Sequence, residues 1–154
     1  MQRSQVEEIN SKIISVDQLP TYEEAERFFR FLEERHEWFG FCREYNIFNA
    51  YNVEFVDSLA ARIKSFGKGF VVEVCAGNGK LSHHLKNRGI NIIATDDYSN
   101  DEIKKDESLF EKLSCSEALE KYKPKMVIAS WIPYGGEEIG LSILNFSSVR
   151  YFLI

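Results

Sequence analysis

Phe70-Val71-Val72-Glu73-Val74-Cys75-Ala76-Gly77-Asn78-Gly79-Lys80-Leu81 is the stretch on which the fold turns. It reads as a buried strand, a glycine turn and a helix start, with one carboxylate at the end of the strand. An apolar run of this kind suits a parallel sheet covered on both faces. Gly77 and Gly79 can take positive φ without steric cost and let the backbone come close to a ligand. A helix opening at Lys80 aims backbone N–H groups at whatever sits over the turn. The same Gly-Asn-Gly is also a tight-turn signal, so the loop alone leaves a purely structural role open.

The next segment adds weight to a nucleotide-like ligand. Gly89 closes the helix as a C-cap, Asn91-Ile92-Ile93-Ala94-Thr95 reads as a second buried strand, and Asp96-Asp97 ends it. An acid at the tip of the second strand, about twenty residues beyond a glycine turn, is where a Rossmann-type unit hydrogen-bonds a ribose. Dinucleotide proteins favour G-x-G-x-x-G after the strand, however, and need no carboxylate before the glycines. The order here is Glu73-x-x-x-Gly77-x-Gly79.

That order resembles the first motif of class I S-adenosylmethionine-dependent methyltransferases, an apolar strand followed by E/D-x-G-x-G-x-G. Glu73, Gly77 and Gly79 match it, while Cys75 stands at the first glycine position. Ile92-Ile93-Ala94-Thr95-Asp96 is similar to the family's second motif, and the resemblance covers roughly residues 49 to 154. It implies that Glu73, Cys75, Ala76, Gly77, Asn78 and Gly79 form a cofactor loop for S-adenosyl-L-methionine. It also implies that Asp96 grips the ribose, with Asp97 as the alternate, and that Ser130 and Trp131 belong to the same site.

The implied fold is a Rossmann-like, doubly wound α/β domain with a mostly parallel sheet of about five strands in order 3-2-1-4-5. The domain is expected over residues 49–154, after an N-terminal helical extension over 1–48. The resembled family carries seven strands, and only five fit here, so the last two are expected to be missing. A truncated product, a minimal protein, and a strand edge paired with another chain (a second copy or a partner) all remain open.

The remaining strands and helices follow from periodicity and punctuation. Thr21 with Glu24 forms a capping box for an aromatic-rich amphipathic helix from Tyr22 to about Glu37, with Gly40 as its break. Residues 1–14 are expected to be weakly structured or loosely helical. A second helix is expected from about Asn49 to Ser65, ended by Gly67-Lys68-Gly69. A short third strand fits Leu109 to Leu113, a short helix Glu117 to Lys123 stopped by Pro124, and a fourth strand Met126 to Ser130. Glu137 to Asn145 reads as a helix and Val149 to Ile154 as the fifth strand. Trp131-Ile132-Pro133-Tyr134 follows the fourth strand at the edge where open α/β sheets hold ligands. It is similar to the N/D-P-P-Y loop of amine methyltransferases, but Trp131 replaces the polar first residue, so amine methylation is not inferred. Ser114-Cys115-Ser116 stands where the family places an adenine-contacting acid.

Composition narrows the class. The chain has 154 residues with 44% apolar content, enough for a packed core. A net charge of -5 gives no bulk attraction to nucleic acid or anionic lipid, though it leaves room for a local basic groove. Cys42, Cys75 and Cys115 are too scattered for a zinc site or a disulfide framework, which points to a reducing, cytoplasmic setting. The polar, acidic start is no signal peptide, and no apolar run nears the ~18 residues of a membrane helix. Asn145-Phe146-Ser147 matches the glycosylation sequon by chance.

No catalytic residue and no metal site is assigned. His83 and His84 are adjacent and face different sides of a helix, and His36 sits among charges. Three functions are carried forward: an S-adenosylmethionine-binding methyltransferase-like protein of unknown acceptor, a catalytically inactive relative acting in protein–protein association, and an NAD-linked oxidoreductase.

Overall fold

A computed structural model of the chain describes residues 3–45, 47, 49–67, 69–97, 109–130, 132 and 136–153. Its contacts divide it into two units, residues 1–59 and 60–154.

The first unit is helical. Helices α1 (Arg3–Ile14), α2 (Tyr22–Glu33) and α3 (Trp38–Tyr45) surround a core of Ile9, Ile13, Phe28, Leu32, Phe41 and Ile47. Of the two alternatives for the start, weakly structured or loosely helical, the structure shows the helix: α1, whose Ile9 and Ile13 are four apart and buried together. The α2 capping box forms as read: Thr21 Oγ1 accepts from Glu24 N, and the Glu24 carboxylate accepts from Thr21 N. The helix ends at Glu33, however, and Gly40 lies inside α3 instead of breaking a helix. The reversal occurs at His36, whose φ is 58°, where Glu37 N donates back to Leu32 O at 2.9 Å. A backbone bond across the helix end, as in a glycine-capped terminus, outweighs the lone glycine.

Helix α4 (Val53–Ser65) carries the chain from the first unit into the second, and Asn52 Oδ1 caps it by accepting from Phe55 N. The second unit carries five strands interspersed with helices among the described residues. Its elements are β1 (Val71–Glu73), α5 (Lys80–Asn87), β2 (Ile92–Asp96), β3 (Glu111–Lys112), α6 (Cys115–Tyr122), β4 (Met126–Ile128), α7 (Glu137–Asn145) and β5 (Tyr151–Leu153). The five strands form one sheet in order β3-β2-β1-β4-β5, with every pairing parallel. This is a Rossmann-like α/β fold.

Strand alternation sorts the two faces. Val72 and Val74 point into the same core as Val127, Ala129, Ala118, Leu119 and Ile143, so α6 and α7 cover that face. Val71 and Glu73 point to the other, where Glu73 meets Ser82 of α5. Helix α5 ends on Gly89 at φ 78°, with Ile90 N donating to Leu85 O. Helix α6 opens on a second capping box, Ser114 with Glu117. The Ser114 hydroxyl, which the sequence left available to a ligand, is therefore committed to the helix. Among the described residues, no helix is long and apolar enough to cross a membrane.

Replacing Ser114→Ala leaves an N-terminal amide of α6 without its acceptor. It should lower unfolding free energy in urea by about 1 kcal/mol, whereas no change would mean the cap adds nothing.

Candidate functional site

Parallel pairing brings the carboxyl ends of β1, β2 and β4 to one edge, because Glu73 is level with both Ala94 and Ile128. From there the chain runs through a turn of three left-handed residues: Cys75 at φ 53°, Gly77 at 59° and Gly79 at 74°. Ala76 N donates to Thr95 O at 3.1 Å, tying the turn to β2. Gly79 N donates to Ala76 O at 3.0 Å and closes it. A Cβ on Gly79 would stand 3.3 Å from both the Cβ and the carbonyl oxygen of Leu109, while one on Gly77 would meet nothing within 4 Å. Gly79 is thus needed for a close approach, and among the described residues the space over Gly77 is open.

The β2 tip meets this turn directly. Asp96 Oδ2 accepts from Gly77 N at 2.8 Å, across 19 residues of sequence. The glycine bend and the strand-tip acid therefore meet at the carboxyl edge, where open α/β sheets form their crevice. Asp97 follows in an exposed position.

Glu73 does not face that crevice as an open carboxylate. It is fully buried, and its Oε2 accepts from Ser82 N at 3.1 Å and Ser82 Oγ at 2.6 Å. Its Oε1 accepts from Ser130 Oγ at 3.1 Å, and Thr95 Oγ1 donates to its backbone carbonyl at 3.0 Å. One side chain fastens β1, the first turn of α5 and the end of β4 together. Burial raises its pKa from 4.5 to about 7, with the nearby Asp96 charge adding to the rise and the Ser82 and Ser130 hydrogen bonds opposing it.

The N–H groups of α5 are correspondingly less available than the sequence suggested. Lys80 N donates to Asn78 Oδ1 at 3.1 Å and Ser82 N to Glu73, so two first-turn amides already hold protein acceptors. The Cys75 thiol is pushed up to about 12 by burial and then by Asp96, and is neutral at physiological pH. Burial likewise lifts the Cys115 thiol to about 11.

Glu73, Cys75, Ala76, Gly77, Asn78, Gly79, Asp96 and Ser130 thus gather around the carboxyl ends of β1, β2 and β4; Trp131 lies outside the described residues. Three neighbours were not read from sequence. Ser82 is the main partner of Glu73, and a serine two positions into the helix after the glycine turn is a usable signal for it. Lys80 is 5% exposed, and burial lowers its ammonium to about 8. Leu109 packs against the glycine turn. His84 is buried and His83 half-buried, with their rings edge-to-face. Among the described residues, no cluster of three or more His, Cys, Asp or Glu side chains could hold a metal ion.

Comparison of the chain with family models, curated proteins and solved structures returns no match.

Two outcomes follow from this geometry. Gly79→Ala should destabilise more than Gly77→Ala, because it adds the Leu109 clash to a left-handed strain of about 1–2 kcal/mol common to both; equal losses in urea denaturation would contradict the close approach. For Glu73, the folded carboxyl keeps its proton to higher pH than the unfolded one. Folded protein then binds more protons between about 4.5 and 7, so stability falls as pH rises through that window. The loss from this group is about 3 kcal/mol, reached by pH 8. Glu73→Gln can still accept from Ser82 and turn its amide toward Ser130, so its stability should lack this decline. A parallel decline in the variant would assign the pH dependence elsewhere.

Proposed function

We propose that residues 60–154 bind S-adenosyl-L-methionine and act as a methyltransferase-like domain on an unknown acceptor. The observation that carries this reading is the hydrogen bond from Gly77 N to Asp96 Oδ2, which puts a carboxylate and an open, left-handed glycine bend in one crevice. A carboxylate is a good acceptor for a ribose diol, and a bare glycine backbone admits a flat or extended ligand at close range.

The choice of cofactor rests on charge. A dinucleotide brings a pyrophosphate, which seeks the N–H groups of a helix N-terminus. Here Asn78 and the buried Glu73 already occupy two of those of α5. S-adenosylmethionine instead brings a sulfonium cation, which suits an edge carrying the Asp96 and Asp97 carboxylates. When bound, the cofactor would supply the activated methyl group. Gly77, Gly79 and Asp96 would hold it, and Glu73 would keep the loop and the β4 end in register through Ser82 and Ser130. Cys75 would wall the site as a small neutral side chain.

A second reading, a catalytically inactive domain used for association with another chain, is favoured by one observation. Among the described residues, strand β5 is an outer strand paired with β4 alone, leaving an edge that another strand can extend.

The test compares thermal unfolding with S-adenosylmethionine, S-adenosylhomocysteine and NAD. The first two should raise the melting temperature and NAD should not, since a ligand at 100 times its Kd adds about 2.7 kcal/mol. Asp96→Asn keeps an oxygen for Gly77 N but loses the charge, and should weaken calorimetric binding by about tenfold or more. No shift at millimolar S-adenosylmethionine would end the cofactor reading and leave the association reading.

A further inference from the structure

The second unit sorts its charges between the two edges of its sheet. Val71 is level with Ile92 and Met126, and Met126 with Tyr151, so β1, β2, β4 and β5 all begin at one edge. The helices that return the chain to those strands bring their C-terminal turns to the same edge, opposite the glycine turn. Local contacts tie it together. Arg150 N donates to Lys125 O at 2.8 Å, Ser148 Oγ donates to Pro124 O at 2.8 Å, and a Cβ on Gly69 would stand 3.9 Å from that of Lys125.

Six cations are exposed here: Arg62, Lys64, Lys86, Lys123, Lys125 and Arg150. Among the described residues none of the six makes an ion pair. Lys121 and Glu111 pair with each other, and Glu120 is the carboxylate remaining in the final turns of α6. Among the described residues of this unit, the other acids besides the buried Glu73 sit at the opposite edge or in the first turns of α6 and α7: Asp96, Asp97, Glu117, Glu137 and Glu138. A chain of net charge -5 thus presents a concentrated positive surface.

Two further features give this surface a shape. A groove of about 690 Å³ runs along it, lined by Ile63, Lys64, Phe70, Ile90, Asn91 and the bare backbone of Gly67 and Gly89. Among the described residues, nothing lies within 4 Å of where a Cβ on Gly67 or Gly89 would be, so the wall there is open. Beside the groove's α4 end, Phe66 and Tyr151 stack with centroids 4.2 Å apart and planes 22° apart. Tyr151 remains 39% exposed, with Arg150 next in the chain and the Arg62 guanidinium 4.7 Å over the Phe66 ring.

We propose that this edge binds a single-stranded nucleic acid, with Lys125 and Arg150 on successive phosphates and a base stacked on Tyr151. Unpaired cations attract any polyanion. An exposed aromatic pair with one guanidinium over its Phe66 ring selects among polyanions for unpaired bases, whose flat faces extend an existing ring stack. Adjacent strands lie about 4.8 Å apart, so long side chains from the β4 and β5 starts can follow one sugar–phosphate backbone. The proposal does not depend on the cofactor reading, because it uses the other edge of the sheet.

The experiment is fluorescence anisotropy on the full chain without cofactor, using labelled single-stranded RNA and DNA of about twelve nucleotides. Phosphatidylserine vesicles and a poly-glutamate peptide serve as competing polyanions. Binding of an oligonucleotide is expected at about 50 mM salt, with log K falling linearly against log salt. Lys125→Gln with Arg150→Gln removes two exposed charges and should reduce that slope by roughly 1.4, at about 0.7 per phosphate contact. Tyr151→Leu should weaken binding at least about fivefold with the slope unchanged, the mark of lost stacking. Lys112→Gln, at the β3 end of the opposite edge, should change nothing. RNA preferred over DNA, or the reverse, identifies the strand type within the proposal. Absence of binding to both oligonucleotides, a slope unaltered in the double variant, or capture by vesicles or poly-glutamate alone would overturn it.

Discussion

The second unit depends on a buried carboxylate. Glu73 ends β1 inside the protein, and its two oxygens take the Ser82 amide and hydroxyl on one side and the Ser130 hydroxyl on the other. Burying a carboxyl group is costly unless its lone pairs are filled. The three hydrogen bonds compensate part of that cost, and a pKa near 7 shows the remainder, relieved by holding the proton. What the cost secures is position. β1, α5 and β4 converge on this side chain, and the glycine turn is strung between the first two. A turn with three left-handed residues is held in place by its attachments more than by its own preferences. Ala76 on Thr95 and Gly77 on Asp96 complete those attachments from β2.

This arrangement explains why the crevice has the chemistry it has. Helix N-termini ordinarily concentrate positive potential over a glycine turn. Here a buried carboxyl group and an asparagine side chain answer two of the α5 amides from below, and Asp96 answers Gly77 from the β2 side. Among the described residues, three amides of the turn and of α5 thus already hold protein acceptors. A glycine loop followed by a helix therefore does not by itself specify a phosphate ligand. The acceptors already bonded to its amides decide the sign of the ligand it suits.

The sheet order and the convergence of Asp96 on the glycine bend were legible because both rest on local signals. Apolar runs of four or five residues, a Gly-Asn-Gly turn and strand-tip acids fix the strands, and parallel pairing then brings their ends together. The inward direction of Glu73 was not legible: in a strand covered on both faces, alternation gives no polar side to read. Its partner Ser82 becomes evident only when α5 is laid on the face that Glu73 shares with Val71. The α2–α3 boundary was missed for another reason. The chain reverses at His36 with a non-glycine left-handed residue, while the obvious breaker, Gly40, is accommodated in α3. Backbone bonding from Glu37 to Leu32 decided that boundary, and composition does not report such a bond.

The separation of charge in the second unit follows from the same topology. In a parallel α/β unit every helix starts at the carboxyl edge of the sheet and finishes at the amino edge. Helix dipoles favour acids in first turns and cations in last turns, and this sequence obeys that preference at Glu117, Glu137 and Glu138, and at Lys64 and Lys86. Because the helices share one direction, individually small terminal preferences add into two edges of opposite sign. Loop residues then reinforce the basic one: Lys123 caps the end of α6, and Lys125 and Arg150 stand just before β4 and β5, where Arg150 N donates to Lys125 O. Under the two proposals the first edge would take a small cationic ligand and the second a polyanion, so a domain with a modest net negative charge can present both chemistries without either neutralising the other.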